Sequence, residues 1–262
     1  MQVTDKIAII TGAGSGIGRA LAKRFAADGA QAIICADRSA DDAAETAELI
    51  GKQASAAVLD VSDQEAIEAM VAKTEQDFGR VDILVSNAGY GQPGGLEKPT
   101  SDWKHMMDVH TWSHLNASRA VIPGMLERGS GYLLSTASAA GLLPQVEFGG
   151  YMVSKYAAVA LAEWLAINYV DKGIGVSVLC PKGVRTRILE QLVGAESLID
   201  VAQASDHGVV EPDYVADLCI EAMAEGRFLV LPHPEVLTYL QRKAGDYDRF
   251  LAGMRKRHKN FG

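Results

Sequence analysis

The sequence predicts a single α/β domain in which a parallel sheet of about seven strands carries helices on both faces. Short β-branched runs alternate with longer helical patterns along the chain, and this alternation is typical of doubly wound sheets. The first such run ends in a glycine-rich turn that leads directly into a helix. Hydrophobic residues make up 48% of the 262 residues, which is ample for a buried core.

The predicted strands are separated from one another by helical segments. They are Lys6–Thr11, Gln31–Ala36, Ser55–Leu59, Val81–Ser86, Gly131–Thr136, Val176–Leu179 and Phe228–Leu231. The predicted helices include Asp63–Asp77, Ser101–Glu127, Gly149–Lys172, Pro212–Ala224 and a helical tail over Glu235–Lys259. No linker-like stretch or internal repeat divides the sequence, so residues 1–262 are expected to form one domain.

Two connections are longer than the others, Asn87–Pro99 and Pro181–His207, and both follow predicted strands. In an open α/β sheet, ligands bind beyond the carboxyl ends of the strands. These two connections are therefore predicted to form the walls of a substrate site, with a lid over about residues 186–207.

The charge of the chain indicates which partners to exclude. A net charge of −8 argues against nucleic-acid binding, which needs a positive surface.

No signal region is recognisable, and no apolar run reaches the ~18 residues of a membrane span. The three cysteines, Cys35, Cys180 and Cys219, are odd in number and indicate a reducing compartment. We expect a soluble, cytoplasmic protein that binds neither nucleic acid nor membranes.

The glycine-rich turn is predicted to bind a dinucleotide. Gly12, Gly16 and Gly18, with Ser15 and Ile17 between them, let the backbone turn tightly and approach a pyrophosphate. The free N–H groups at the start of the following helix can then bind the phosphate charge. The spacing Gly-x-x-x-Gly-x-Gly differs from the general Gly-x-Gly-x-x-Gly pattern, but the flanking strand and helix supply the context that such a motif requires.

The residue after the second strand bears on the choice of cofactor. Asp37 follows the glycine turn by about twenty residues, where a carboxylate can accept hydrogen bonds from the adenosine ribose and repel a 2′-phosphate. Arg38 comes next and could stack on adenine or pair with such a phosphate. The pattern favours NAD over NADP. Asp37 could also cap the helix that follows it.

Ser138, Tyr151 and Lys155 form the candidate catalytic group. Tyr151 and Lys155 are four positions apart among strong helix formers, so both side chains should project from one face. A phenol with its ordinary pKa of about 10 is a poor base at neutral pH, and a neighbouring ammonium is expected to lower that pKa. Ser138 could bind the same substrate oxygen. The pattern predicts proton transfer to or from an alcohol or a carbonyl.

Taken together, these residues resemble the short-chain dehydrogenase/reductase family in its shorter form, over nearly the whole chain. The motifs that carry the resemblance are Thr11-Gly12-x-x-x-Gly16-x-Gly18, Asp60-Val61, Asn87-Ala88-Gly89, Ser138, Tyr151-x-x-x-Lys155 and Pro181-x-Gly183-Val184-x-Thr186. Several independent motifs in one order are far more specific than any one of them. The resemblance implies a Rossmann-type doubly wound sheet and an oxidoreductase that uses NAD or, with less support, NADP.

The resemblance also implies a role for each motif. Asp60 and Val61 would flank the adenine, and the Asn-Ala-Gly turn would support its ribose. Lys155 would bind the nicotinamide ribose and lower the pKa of Tyr151, while Ser138 would orient the substrate oxygen. No metal site is expected. The residues expected to bind the cofactor are Gly12, Ser15, Gly16, Ile17, Gly18, Asp37, Arg38, Asp60, Val61, Asn87, Ala88, Gly89, Tyr151, Lys155, Pro181, Gly183, Val184 and Thr186.

Two residues depart from the family pattern. His110 stands where members usually carry an Asn that holds a proton-relay water, so His110 could relay a proton itself or could be a buried, neutral histidine. Metal ligation by His110 with His114 is a further alternative, although no third ligand is apparent. Lys182 stands where members usually carry glycine, and it could reshape the turn or place a cation at the substrate mouth.

These observations favour an NAD-dependent enzyme that interconverts a secondary alcohol and a ketone, with Tyr151 as general acid and base. The alternative from another class is a dinucleotide-binding sensor or scaffold whose catalysis is impaired because of His110. Imine or enoyl reduction is a third hypothesis. The largely apolar lid sequence, with Tyr90, Val146 and Phe148, favours an alicyclic or aromatic substrate, whereas Lys182, Arg185 and Arg187 leave an anionic substituent open.

The helix that carries Tyr151 is unusually apolar. Between Ala157 and Leu165 only Glu163 is charged, and a helix that is apolar on all sides must be covered. The helices that bear His110 and Tyr151 are therefore expected to pair between subunits, and the family resemblance suggests a homotetramer.

Overall fold

The structure is a computed structural model that describes residues 1–193 and 208–261. Its seven strands form one parallel sheet in the order β3-β2-β1-β4-β5-β6-β7, which confirms the predicted fold class. The strands are β1 Ile7–Thr11, β2 Ala32–Asp37, β3 Ala54–Val58, β4 Ile83–Ser86, β5 Gly131–Thr136, β6 Ile174–Leu179 and β7 Leu229–Val230.

The helices cover both faces of this sheet. They are α1 Gly16–Ala27, α2 Ala40–Ile50, α3 Gln64–Phe78, α4 Thr100–Met107, α5 Ser113–Arg128, α6 Gly149–Tyr169, α7 Arg187–Val193, α8 Pro212–Glu225, α9 Glu235–Gly245 and α10 Tyr247–Phe261. On one face, apolar side chains of α1 and α8 pack against the strands. On the other face, α3, α5 and α6 do so. Every residue of β1 and β5 is buried, as expected for parallel strands covered on both sides. The three cysteines are free and buried.

The predicted long helix over Ser101–Glu127 is divided by one wider turn. Residues Asp108–Trp112 form a π-helical segment between α4 and α5, and His110 lies at its centre. Short π-helical segments of this kind are rare overall, and many of those that occur lie near functional sites. A pattern of hydrophobic residues cannot reveal this change, because the period is disturbed over only one turn.

The predicted helical tail over Glu235–Lys259 consists of two helices, α9 and α10. Asp246, between α9 and α10, has an extended backbone. Its carboxylate Oδ1 accepts a hydrogen bond from the Arg249 backbone N–H at 2.9 Å, so Asp246 caps the start of α10.

The order of strands locates the ligand crevice. The order reverses between β1 and β4, and in open α/β sheets ligands bind at such a point, beyond the carboxyl ends of the strands. The side chain of Asn87, after β4, joins three strand ends there: its Nδ2 donates to the Thr11 carbonyl at 3.0 Å, and its Oδ1 accepts from the Thr136 hydroxyl at 3.1 Å. The glycine turn after β1 lies beside it.

The predicted lid over residues 186–207 begins with α7, and residues 194–207 of that prediction lie outside the described part of the chain. Within residues 1–193 and 208–261, the helices lack the combination of length and hydropathy that a membrane span requires.

Candidate active site

The start of α1 is open to an anion. Ser15 occupies the N-cap position but makes no side-chain capping bond, and the first turn carries no acidic residue. By contrast, Ser39 caps α2 and Asp63 caps α3 through their side chains. The free N–H groups and the helix dipole at the start of α1 therefore favour a phosphate.

The glycines of the turn are required by close backbone contacts. A Cβ on Gly18 would lie 2.1 Å from the Gly12 carbonyl oxygen, and one on Gly12 would lie 2.8 Å from the Ala88 Cα. Gly16 adopts a φ of +51°, which favours glycine. A cavity of about 440 Å³ opens on the α1 side of this turn, and its lining includes Ser15, Gly16, Thr186 and the charged residues Arg19 and Lys23. This cavity lies apart from Asp37 and the catalytic group. The turn thus fits the close approach of a dinucleotide pyrophosphate.

The Asp37 carboxylate lies directly behind the glycine turn. Its Oδ2 accepts from the Gly14 N–H at 2.9 Å and its Oδ1 accepts from the Ser39 N–H at 3.0 Å. The helix that follows is capped by Ser39 rather than by Asp37, so the alternative that Asp37 is its cap is wrong. Arg38 is exposed, and its charge acts on Asp60 and Tyr90.

Asp60 and Val61 lie at the end of β3, on the same side of the crevice. The Asp60 carboxylate accepts from the Ser62 backbone N–H and hydroxyl at 2.9 and 2.7 Å, and these hydrogen bonds, with the charges of His105 and Arg38, lower its pKa. The side chain of Val61 is buried. Asp60 therefore places a negative charge beside the buried Val61.

Thr11 holds the Asn87-Ala88-Gly89 turn against the glycine turn. Its hydroxyl oxygen accepts from the backbone N–H groups of Asn87 and Ala88 at 2.9 and 3.1 Å. A Cβ on Gly89 would lie 3.3 Å from the His110 ring and 3.5 Å from Lys155 Nζ. The turn therefore connects the predicted cofactor residues with the catalytic group.

The loop from Pro181 to Thr186 lies on the opposite side of the crevice. The Pro181 carbonyl accepts from the Ala139 N–H at 2.8 Å, and Val184 forms a parallel bridge with Val210. Gly183 accepts a further bond from the Val210 N–H at 3.1 Å. The Thr186 hydroxyl donates to the Val184 carbonyl at 3.2 Å, and its methyl group faces Gly16.

The structure brings Ser138, Tyr151 and Lys155 together at the carboxyl edge of the sheet. Ser138 follows β5 in an extended conformation, and its hydroxyl is hydrogen-bonded to the Tyr151 phenol. The Lys155 ammonium lies 5.7 Å from the centre of the Tyr151 ring and donates to the Thr136 carbonyl at 3.1 Å. These three groups could transfer a proton to or from one substrate oxygen.

The expectation that Lys155 lowers the pKa of Tyr151 is not met in this structure. Burial raises the pKa of the phenol, and the hydrogen bond from Ser138 is the interaction that lowers it. Removal of the phenol from water disfavours the phenolate more than the ammonium favours it at this separation. Burial also lowers the pKa of Lys155 to about 8, since its ammonium has no carboxylate partner within the described residues.

The hydrogen bonds of His110 determine its tautomer. The Tyr90 backbone N–H donates to Nε2 at 3.1 Å, so Nε2 carries no proton. In the neutral ring Nδ1 therefore carries the proton and donates to the Ser154 hydroxyl at 2.9 Å. Ser154 in turn donates to the Tyr151 carbonyl at 2.8 Å. His110 thus connects the loop after β4 with the catalytic helix α6.

This network favours His110 as a buried, neutral histidine over a proton relay or a metal ligand. Burial, with the charge of Lys155, lowers the pKa of His110 well below its usual range. Both ring nitrogens are already engaged in hydrogen bonds. Its ring also packs edge-on against the Tyr151 ring at 5.5 Å. Within the described residues, no three potential ligand side chains form a group that could hold a metal ion.

His114, one turn later, is an isolated buried histidine. It is 2% exposed, and neither ring nitrogen has a hydrogen-bond partner within residues 1–193 and 208–261. Burial, with the charge of Lys155, lowers its pKa to about 3. His114 is therefore neutral at physiological pH, and an unpaired buried group of this kind lowers the stability of the fold.

The three cations near the predicted lid are paired with carboxylates. Lys182 contacts Glu235 at 2.7 Å, Arg185 contacts Glu211 at 2.7 Å and Arg187 contacts Asp42 at 2.8 Å. Lys182 therefore points toward α9 and not toward the substrate mouth. These pairs argue against an anionic substituent on the substrate, which the sequence left open.

Two apolar side chains are exposed on the loops at the mouth of the cleft, next to the exposed polar residues Glu97, Gln145 and Glu147. Leu96 is 96% exposed and Val146 is 44% exposed. The two loops that carry them are joined by hydrogen bonds between Gly94 and residues 147 and 149, and Phe148 lies 6.2 Å from the Tyr151 ring. The Tyr90 ring contacts the rings of His105 and His110.

Several residues of the site were missed by sequence reasoning. Gly14 is one, since its N–H binds Asp37 and a Cβ there would lie 2.7 Å from that carboxylate. Its glycine identity was a signal in the sequence. Ser154 and His233 carried no such signal, because both become important only through contacts between distant segments, 44 and 51 residues apart in the chain.

Comparison with known proteins agrees with this geometry. The family model for the short chain dehydrogenase matches residues 6–197. The chain is similar to the 1-deoxy-11-beta-hydroxypentalenate dehydrogenase of Streptomyces exfoliatus, with 31% identity over 96% of this chain and 92% of the relative. It is also similar to the 7alpha-hydroxysteroid dehydrogenase of Escherichia coli K12, with 32% identity over 75% and 78% of the two chains.

Among solved structures, the fold is similar to that of a short-chain dehydrogenase/reductase from Burkholderia phymatum in complex with NAD. The TM-score is 0.85, with 32% identity over 95% of this chain and 96% of the other. The matched motifs and the shared fold extend over nearly the whole chain. The protein therefore belongs to the short-chain dehydrogenase/reductase family of oxidoreductases, whose members use NAD or NADP.

Proposed function

We propose that this protein is an NAD-dependent oxidoreductase that interconverts a secondary alcohol and a ketone. The observation that carries the proposal is the grouping of the Ser138 and Tyr151 hydroxyls with the buried Lys155 ammonium beside an open dinucleotide crevice. A phenol and a hydroxyl that share one oxygen acceptor suit protonation of a carbonyl and deprotonation of an alcohol.

In this proposal each residue has its own task. The glycine turn and Asp37 would hold a nicotinamide dinucleotide, which would supply the hydride chemistry at the substrate carbon. Tyr151 donates its proton to the carbonyl oxygen during reduction and takes the hydroxyl proton during oxidation. Ser138 donates a hydrogen bond to the same oxygen. The Ser138 hydrogen bond also favours the phenolate form of Tyr151, and the Lys155 ammonium would bind the nicotinamide ribose. His110 holds α6, the helix that carries Tyr151 and Lys155.

The proposal is tested by cofactor turnover with a panel of secondary alcohols and ketones, followed through the absorbance of the reduced nicotinamide. We expect turnover with at least one member of the panel and none with Tyr151→Phe. Cofactor binding without turnover by any substrate would instead support the dinucleotide-binding sensor. Reduction of imines or enoyl compounds alone would support the third hypothesis.

NAD is the proposed cofactor because the Asp37 carboxylate lies behind the glycine turn, whereas Arg38 is exposed. A carboxylate in that place repels a 2′-phosphate. We expect NAD to bind at least about tenfold tighter than NADP, which corresponds to about 1.4 kcal/mol. Fluorescence titration with both cofactors measures the ratio, and equal affinities would show that Arg38 outweighs the carboxylate.

The proposed substrate is a neutral alicyclic or aromatic secondary alcohol, or the corresponding ketone. The exposed Leu96 and Val146 at the mouth, and the ion pairs of Lys182, Arg185 and Arg187, support this choice. Two relatives described above carry names of dehydrogenases of polycyclic hydroxy compounds. Higher kcat/KM for an anionic or sugar substrate than for an alicyclic alcohol would contradict it.

A homotetramer is the proposed assembly, in a cytoplasmic protein. Trp164 and Ile167 on α6 are 53% and 80% exposed, and Trp112 before α5 is 48% exposed. Exposed tryptophan and isoleucine side chains on neighbouring helices suit a surface that another subunit covers. The three free, buried cysteines suit a reducing compartment. Light scattering that shows a stable monomer at micromolar concentration would contradict the assembly.

A further inference from the structure

Helix α9 and the residue pair before it direct three buried polar side chains toward the candidate active site. His233 is fully buried, Lys243 is 5% exposed, and the Glu235 side chain is 8% exposed. Charged and polar groups are costly to bury unless they are paired, and a helix at the surface ordinarily directs them to water. We therefore expect each of these three side chains to be stabilised by specific partners inside the protein.

The N-terminal end of α9 holds the loop that begins at Pro181. His233 Nδ1 accepts from the Lys182 backbone N–H at 3.2 Å, so its Nε2 carries the proton and donates to the Gly208 carbonyl at 3.3 Å. The Lys182 ammonium contacts the Glu235 carboxylate at 2.7 Å. Residue 182 is thus held through both its backbone and its side chain, within four positions of Thr186.

The C-terminal end of α9 holds two other segments together. The Lys243 ammonium donates to the Leu142 carbonyl at 2.8 Å and to the Tyr156 phenol at 2.6 Å. Leu142 directly follows the short helix that Ser138 caps, and Tyr156 is the next residue after Lys155 on α6. Lys243 therefore joins the segment that carries Ser138 to the helix that carries Tyr151 and Lys155.

We propose that α9 is a positioning element for the reaction, with separate effects at its two ends. The Lys182–Glu235 pair and His233 hold the Pro181–Thr186 loop and so set cofactor affinity. Lys243 holds the Ser138 segment against α6 and so sets the rate of the chemical step. This inference rests on the proposed function of the site. A displacement of about 1 Å in such a group can lower a rate ~100-fold.

The test compares two variants, Lys243→Met and Glu235→Gln, with the wild type in NAD affinity by fluorescence titration and in kcat. Lys243→Met is expected to lower kcat at least about fivefold and to leave the Kd for NAD within about twofold. Glu235→Gln is expected to raise that Kd at least about fivefold with a smaller effect on kcat. The charge-reversed pair Lys182→Glu with Glu235→Lys should restore affinity.

A control and a substitute variant make every outcome informative. Lys73→Gln removes an exposed ion pair with Asp77 and should change neither quantity. If Lys243→Met does not fold, Tyr156→Phe replaces it. This variant removes only the phenol oxygen that Lys243 binds, and the same change in kcat at an unchanged Kd for NAD is expected.

Two results would overturn the positioning role of α9. One is that the two variants have the same Kd for NAD and the same kcat as the wild type. The other is that both quantities change together in proportion to the loss of folded protein. A wild type without turnover on any substrate would refute the proposed function alone. The cofactor titrations would still decide whether Glu235 positions the loop at Pro181.

Discussion

Replacement of Lys155 by methionine is expected to make the protein more stable and inactive. Met has a similar length and no charge, so it occupies the same buried space without the desolvation of an ammonium. Burial lowers the pKa of Lys155 from its ordinary value of 10.5 to about 8. Since one pKa unit corresponds to about 1.4 kcal/mol, the buried charge costs roughly 3 kcal/mol of folding free energy at neutral pH.

Part of this gain is offset by a lost hydrogen bond. The Thr136 carbonyl accepts from the Lys155 ammonium at 3.1 Å and would lose that partner, at a cost of about 1 kcal/mol. The net expectation at pH 7 is that Lys155→Met raises the free energy of unfolding by about 2 kcal/mol.

The difference should reverse its sign at high pH, where the desolvation cost is gone and the variant is expected to be less stable by about the 1 kcal/mol of the lost hydrogen bond. The direction of this change follows from the sign of the pKa shift. Below pH 8 the lysine is charged in both states, and the native state bears the full cost. Between pH 8 and 10.5 the native state releases its proton while the unfolded state keeps it, so wild-type stability rises relative to the variant. Above 10.5 the lysine is neutral in both states and the cost is gone.

Urea unfolding of both proteins at a series of pH values measures this difference directly. The slopes m should agree, so that only the midpoint moves. A Lys155→Met variant that is less stable than the wild type at pH 7, or a difference that does not depend on pH, would refute the reasoning. In that case the ammonium would be stabilised by interactions stronger than its desolvation.

Three further predictions concern residues around it. Tyr151→Phe should lower kcat by ~10²–10⁴-fold or more and leave the Kd for NAD nearly unchanged, because the phenol transfers the proton while the other cofactor residues remain. A clearly raised Kd would contradict this prediction, since the phenol would then contribute substantially to cofactor affinity. His110→Asn should remain active but lose about 1–2 kcal/mol of stability, because the hydrogen bonds of His110 to Tyr90 and Ser154 are lost. A rate loss above ~100-fold, or the loss of a step near pH ~6.5 in the pH–rate profile, would support the proton-relay role instead. His114→Leu should raise the free energy of unfolding by about 1–3 kcal/mol at pH 7 and reduce the loss of stability in acid. The reason is that the wild-type histidine binds its proton below pH 6.5 in the unfolded chain but only near pH 3 in the native protein. The same pH midpoint of acid unfolding for the variant and the wild type would contradict this.

The site residues that sequence reasoning found are those whose role depends on short-range geometry. Gly12, Gly16 and Gly18 serve a turn of seven residues, and Tyr151 and Lys155 share a helix face because of their spacing. The structure brings these groups together at the strand-order reversal, as the alternation of strands and helices predicts. Local spacing determines such features, so a single sequence suffices to identify them.

The pKa shifts and protonation states of the site residues could not be predicted from local spacing. The sequence predicts a lowered pKa for Tyr151 from the spacing of Lys155, whereas burial raises that pKa in the folded chain. The sequence leaves three roles open for His110, as a proton relay, a buried neutral histidine or a metal ligand. The hydrogen bonds from Tyr90 and to Ser154 favour the buried, neutral histidine. Desolvation depends on which atoms surround a group from all sides, and neighbours in the chain do not determine that.

The sequence by itself determined the parallel sheet, the glycine turn and the family, because strand and helix periods and glycine spacing are local properties of the chain. Only the tertiary structure decided the direction of Lys182, which pairs with Glu235 53 residues later, and the inward position of Lys243, whose partner Leu142 is 101 residues away. Contacts of this range exist only once the sheet has brought its strand ends to one edge, where the loops and α9 meet.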